Sequence, residues 1–362
     1  MTNDAFRPDL LARLPFPPRK VVVLRASRIG DFLCAVPALR ALRARLPAAE
    51  LSMITLPLLH ELATRLPSLD RVFTFPGSPG IAEHLFNART ALQFLQQAQQ
   101  EHFDLAIQMQ GTGVYSNPFM LLLGAHATAG FIRPDDQPGL LDAALPYPYH
   151  LHEIHCTLAL SEFLGAPSIG EALEFPVTEG ERVEATALLS RWPQPWIGIH
   201  PSSRDQTRRW PLDRYVALAR HLLAHQGGTI LLLGDTEASS AGQFIAQHLQ
   251  ERILDLTGKI SLMMLGALIE QLSLLLTNDS GPAHIAYALR TPTVTLFSKR
   301  TSLRTNGPLQ PGPFRLICAP SRTNTPDQLD ETDTPGAIQD ISVEQVLCAS
   351  ETLLQEHHQK TL

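Results

Sequence analysis

Residues Leu272–Phe297 read LSLLLTNDSGPAHIAYALRTPTVTLF, and their reading decides the fold. Ser273–Thr277 is an apolar run of strand length. Asn278-Asp279-Ser280-Gly281-Pro282 breaks it with turn and cap residues. Ala283–Leu289 then has helical spacing, and Thr293–Phe297 returns as a β-branched strand. Strand, turn, helix, strand is the unit of a parallel sheet. Pro282 suits the first helical position, where a missing N–H costs nothing. A helix that starts at the carboxyl end of a parallel strand aims free N–H groups and a positive dipole end at the ligand crevice. There Asp279 can orient a hydroxyl or a peptide, Ser280 can donate to a phosphate, and Gly281 admits a ligand to the backbone. His284 lies one turn in and reaches the same anion. An ordinary βα corner, with Asp279 as helix cap and His284 as a half-buried helix residue, fits the same letters.

The pattern extends upstream. Trp196–His200, Thr229–Leu233 and Ile253–Asp255 read as strands, and Leu212–His225, Glu237–Gln250 and Leu262–Gln271 as helices. Downstream, Arg315–Ile317 reads as a last strand and Val343–Glu356 as a closing helix. The first half repeats the scheme. Lys20–Leu24, Leu51–Thr55, Val72–Phe75, Leu105–Gln108 and Ala127–Phe131 read as strands. Phe32–Leu46, Leu58–Leu66, Ala82–Glu101, Tyr115–Leu123, Glu153–Leu164 and Glu179–Arg191 read as helices. Pro37 should kink the first of these or end a short first turn. Residues 1–19 look like a loose leader, 132–150 like a proline-rich loop, and Gly165–Pro176 like a loop with a short strand. The expectation is an α/β protein of two Rossmann-like, doubly wound parallel-sheet domains with a crevice between them. The expected division is residues 1–178 for one domain, 179–342 for the other, and 343–362 for a closing helix.

Composition agrees with a globular chain. It has 362 residues, 44% of them hydrophobic, and a net charge of −6, so no basic field draws it to nucleic acid. Cys34, Cys156, Cys318 and Cys348 are scattered, which argues against a zinc site or disulfide framework and suits a reducing cytosol. The N-terminus lacks a signal-peptide core, and no apolar run approaches the ~18 residues of a membrane span. A cytoplasmic protein is expected.

Several loops carry chemistry. Asp31 follows the first strand on a Gly30 turn at a helix N-terminus. It suits a general base toward a hydroxyl, and from position alone an N-cap, the commoner use of such an aspartate. Arg25 and Arg28 flank it and suit an anionic acceptor or leaving phosphate. In His200-Pro201-Ser202-Ser203, two hydroxyls after a strand make a phosphate seat. Arg208 or Arg209 can neutralise a diphosphate. Glu237, after Gly234-Asp235, suits a ribose hydroxyl or a helix first turn. Gly111-Thr112-Gly113-Val114-Tyr115-Ser116 falls one glycine short of a dinucleotide fingerprint and sits on the wrong βα unit. No D-x-D pair advertises a metal-held nucleotide. Asp135-Asp136 and Asp330–Asp333 read as solvated.

Taken together, VVVLRASRIGDFLCAVPALRALR (21–43), FDLAIQMQG (103–111), LLLGAHATAGF (121–131), IGIHPSSRDQTRRWP (197–211), LTGKISL (256–262) and TNDSGPAHIAYALRTPTVTLF (277–297) resemble glycosyltransferase family 9, the lipopolysaccharide heptosyltransferases. The resemblance implies a GT-B fold and inverting transfer of a sugar, heptose from ADP-heptose, to an acceptor hydroxyl, with no metal and no cofactor beyond the donor. Asp31 then matches the catalytic base. Ser202, Ser203 and Arg208 match the donor diphosphate contacts, Arg208 standing where the family usually has lysine. Lys259 and Ile260 match the segment beside the adenine. Asp279, Ser280, Gly281 and His284 match the D-[ST]-G-x-x-H donor turn, and Glu237 matches a ribose-binding acid. Arg25 and Arg28 fall to the acceptor. The implied partners are the nucleotide sugar and a glycan, glycolipid or protein acceptor, with peripheral contact at the cytoplasmic face of the inner membrane and no nucleic acid.

One departure bears on the acceptor. Members acting on anionic Kdo–lipid A are rich in Lys and Arg after strand three, whereas Gly77–Gln100 here carries only Arg89. A less anionic acceptor is expected. The rival readings are a nucleotide-sugar epimerase of GT-B shape, a non-catalytic nucleotide-sugar-binding module and a dehydrogenase.

Overall fold

The computed structural model describes residues 4–249, 252–298, 300–320 and 337–361. Asp330–Asp333 lie outside them. Contacts divide the chain into Met1–Pro176 and Val177–Leu362.

The first unit is built on six strands: β1 (Lys20–Leu24), β2 (Glu50–Thr55), β3 (Arg71–Thr74), β4 (Leu105–Gln108), β5 (Ala127–Ile132) and β6 (Ala143–Pro146). They lie in the order β3-β2-β1-β4-β5-β6, every neighbouring pair parallel. Val21–Leu24 in the middle are completely buried, as a strand covered on both faces requires. The helix Ile29–Arg45 follows β1 and packs against Glu153–Leu164. It runs on past Pro37, so the proline does not end it early.

Three local expectations change. The helix expected over Ala82–Glu101 begins at Ala88, because the Asn87 side chain accepts the Thr90 N–H at 3.1 Å and caps it there. Residues 132–150 are not all loop. Ala143–Pro146 pairs with β5 as an edge strand, and prolines at its end hid it, since an edge tolerates the missing N–H. Gly165–Pro176 contains no strand. The leader also has structure: Leu10–Arg13 is a helical turn with Leu10 and Leu11 buried.

The second unit repeats the topology. Its strands are β7 (Trp196–His200), β8 (Thr229–Leu232), β9 (Ile253–Asp255), β10 (Leu274–Asn278), β11 (Thr293–Phe297) and β12 (Phe314–Cys318), in the order β12-β11-β10-β7-β8-β9 and all parallel. Its core joins Ile197, Ile199, Trp210, Tyr215, Leu274 and Leu276 to Val346 and Leu353. The last two come from the helix Val343–Thr361, which packs on the helix Leu212–Gln226 and on β10–β12 within this unit. Each sheet reverses its winding once, between β1 and β4 and between β7 and β10. At such a reversal the loops leaving the strands' carboxyl ends part and leave room for a ligand.

Candidate active-site loops

In the second unit the loops after β7 and β10 meet at the switch point. The helix Gly281–Leu289 starts where expected, but Ser280, not Asp279, is its N-cap, and Pro282 is one residue inside. Asp279 lies one residue before the cap. It is 5% exposed and accepts from Arg208 Nη1 at 2.9 Å. Arg208 ends the short 3-10 turn Gln206–Arg208, and Arg209 turns away to donate through Nε to the Ser203 carbonyl. Arg208 thus stands at the turn and Arg209 braces the loop.

Ser280 is held from below. Its Oγ lies 3.0 Å from Thr277 Oγ1 and 3.2 Å from His200 Nδ1, and donates to the Asn278 carbonyl at 3.1 Å. Burial pushes the His200 imidazole down to about 4, against the opposing pull of Asp235. It is thus neutral at pH 7 and adds no charge to the anion seat. Asn278, fully buried, donates to the Pro201 carbonyl at 3.1 Å and accepts from Trp210 N at 3.2 Å and Tyr215 Oη at 3.1 Å. One amide thereby ties the serine loop to the turn after β10. Ser203 is buried and Ser202 half-buried. His284 is buried and meets the Tyr287 ring edge-on.

Glu237 and Lys259 leave the neighbouring strands on the same edge. Gly234, at φ 145°, lets the chain turn after β8, and Asp235 accepts the N–H groups of Glu237 at 3.0 Å and Ala238 at 3.3 Å. Glu237 is exposed. Lys259 Nζ donates to the Asp255 carbonyl at 2.7 Å, and Ile260 is half-buried.

In the first unit, Asp31 is not the N-cap. Arg28 takes that place, and Asp31 sits half-buried in the helix's first turn, where the dipole still favours its charge. Arg28 is exposed. Arg25 is not: 2% exposed, it donates to the Asp31 carbonyl through Nη2 at 2.9 Å and Nε at 3.2 Å, to the Met109 carbonyl, and to Glu153 Oε1 at 2.6 Å. Its fork is committed to the protein, which leaves Arg28 as the arginine of the pair that faces solvent.

The near-fingerprint after β4 has a steric cause. Gly113, at φ 83°, could not carry a Cβ, which would stand 2.1 Å from the Phe131 carbonyl. Gly113 answers to packing against β5, whereas a Cβ at Gly111, at φ 56°, would meet open space. Among the described residues no group of three His, Cys, Asp or Glu side chains could hold a metal ion.

The sequence profile described as glycosyltransferase family 9 (heptosyltransferase) matches residues 91–332. The chain belongs to this family. The lipopolysaccharide core heptosyltransferase OpsX of Haemophilus influenzae is 23% identical over 296 residues, covering 80% of this chain and 81% of that protein. A glycosyltransferase family 9 structure from Veillonella parvula superposes with a TM-score of 0.79 at 21% identity, over 93% of this chain and 98% of the other. The ADP-heptose heptosyltransferase II of E. coli gives a TM-score of 0.74 at 21% identity, over 94% and 99%. The chain is thus a glycosyltransferase with two α/β units of the GT-B fold.

For a family 9 glycosyltransferase, the site residues that sequence reasoning passed over are His200, Thr277 and Asn278, which hold the others in place. Their signal was faint: polar residues at the ends of otherwise apolar strands, where a sheet's carboxyl edge meets a ligand.

Proposed function

We propose that this glycosyltransferase moves a heptose from ADP-heptose to a hydroxyl of a lipopolysaccharide core-type glycan, with inversion at the anomeric carbon. Asp31 takes the proton of the acceptor hydroxyl as its oxygen attacks. The bond to the diphosphate breaks, and the departing charge is met by Arg208, Ser280, the hydroxyls of Ser202 and Ser203 and the free N–H groups of the Gly281–Leu289 helix. Asp279 keeps Arg208 at that turn. His284 completes the anion seat, Gly281 admits the phosphate, Lys259 and Ile260 flank the adenine, and Glu237 holds the ribose. This reading routes no step through a metal.

The observation that carries the proposal is the local assembly at the β7–β10 switch point: a helix N-terminus, an arginine locked to Asp279, and a serine oriented by neutral His200. Family membership and the names of the relatives support the sugar and the donor. The sparse positive charge of Gly77–Gln100 supports an acceptor less anionic than Kdo–lipid A. No helix of the described residues is long and apolar enough to cross a membrane, which fits a protein working at the cytoplasmic face of the inner membrane by peripheral contact.

The test is ADP release from ADP-heptose by the purified protein, with the product's mass and anomeric configuration determined. Acceptor-dependent ADP release and a product heavier by one heptose are expected. Turnover of the nucleotide sugar without ADP release would favour the epimerase reading, and binding with no turnover a silent module. Transfer to Kdo–lipid A as fast as to a less charged core glycan would remove the acceptor proposal.

A further inference from the structure

Arg25 joins three separate parts of the first unit. It leaves β1, reaches the Met109 carbonyl after β4, and meets Glu153 at the start of the helix Glu153–Leu164. The other carboxylate oxygen of Glu153 accepts from the Tyr147 hydroxyl at 3.0 Å, and Tyr147 follows directly on β6. Arg25 and Glu153 side chains are only 3% and 17% exposed. Burial opposes ionisation of Glu153, yet Arg25 and the Tyr147 hydrogen bond outweigh it and hold the carboxyl below its usual range. Burial likewise opposes the Arg25 charge, and Glu153 and Asp31 restore it. His152 and Cys156 face Glu153 from its own helix.

A buried ion pair is a poor source of net stability, because desolvation consumes most of the attraction. What this one does have is geometry. Two of the arginine's N–H groups converge on a single carbonyl, that of Asp31, in the first turn of the helix. We propose that Glu153 and Tyr147 act through Arg25 as positioning residues, which fix the Asp31 backbone at the start of the helix. This rests on the reading of Asp31 as the base. Arg25 is thereby part of the base's support rather than of the acceptor's binding surface.

Arg25→Met alone strands the Glu153 carboxylate and risks misfolding, so the informative protein is the double variant Arg25→Met/Glu153→Gln. Its Tm should return close to that of the wild type. Two quantities should not return. Turnover of ADP-heptose with a truncated core glycan should fall about tenfold to a hundredfold, as misplacement of a reacting group does, with KM for ADP-heptose unchanged. Amide exchange over residues 28–33 should quicken. Tyr147→Phe, which keeps both charges, should quicken that exchange to a smaller extent.

Wild-type kcat in a folded double variant overturns the proposal. So does exchange at the wild-type rate in either variant, including Tyr147→Phe should the double variant fail to fold. Full activity of Asp31→Asn would instead retire the base reading and leave the exchange rates to decide on the relay.

Discussion

Asp31 and His200 show how much of a residue's role depends on what its neighbours already do. The sequence offered Asp31 as either base or cap, and letters alone could not separate the two because aspartate suits both. The backbone decides part of it, since Arg28 occupies the capping position. Asp31→Asn should therefore leave the helix and ADP binding intact while transfer drops about a hundredfold to ten-thousandfold, measured as kcat for ADP release. Arg208 is a second case. Arg208→Ala takes a charged partner from the nearly buried Asp279 carboxylate and removes the proposed diphosphate contact, so the ADP dissociation constant should rise about tenfold or more. Arg208→Lys keeps the charge without the fork and should lose less. His200 makes a prediction about pH. Unfolded, its imidazole takes a proton near 6.5; folded, only at about 4. Between those values the unfolded chain binds the extra proton, so stability falls as pH falls through that window. Urea unfolding at pH 7 and pH 5 should show a loss of roughly 2 kcal/mol from this group. The loss should be absent from His200→Asn, which keeps a donor near the Nδ1 position.

At the scale of elements, strands with buried β-branched or aliphatic runs were legible: Lys20–Leu24, Trp196–His200, Leu105–Gln108 and Thr293–Phe297 begin and end where the letters place them. Elements whose signal was local chemistry were not. The strand Ala143–Pro146 is too short and too rich in flanking proline to read as one, and only its register with β5 makes it a strand. Yet it delivers Tyr147 to Glu153. The letters of Asn278 suit a turn, whereas it ends β10 and ties that strand to the loop after β7 through the Pro201 carbonyl and Trp210 N, and to the helix Leu212–Gln226 through Tyr215 Oη. Asn278→Leu should leave Trp210 N, Tyr215 Oη and the Pro201 carbonyl buried without that partner. A cost of about 2–4 kcal/mol in unfolding free energy is expected. Donor affinity should weaken as the serine loop detaches, which calorimetry with ADP would measure.

For the whole molecule, the doubly wound order was legible because alternation of strand and helix leaves few topologies for parallel strands with right-handed crossovers. The same strand order recurs in both units without any repeat in sequence, so it is the alternation, and not particular residues, that carries the fold. The division of labour is a separate matter. Every residue assigned to the donor, from Ser202 to His284, lies in Val177–Leu362, and so do the core that supports them and the helix Val343–Thr361 that closes it. The proposed base lies in Met1–Pro176. With its own buried core, a fragment spanning residues 177–362 should fold cooperatively by itself. It should bind ADP with the salt sensitivity of a charge-assisted site, and its Tm should rise with ADP concentration as ligand linkage requires. Lacking Asp31, it should release no ADP from ADP-heptose at any acceptor concentration. Calorimetry and an ADP-release assay on that fragment decide the point. A folded fragment that does not bind ADP would mean that donor binding needs residues of the first unit. A fragment that turns ADP-heptose over would place the catalytic base among its own side chains.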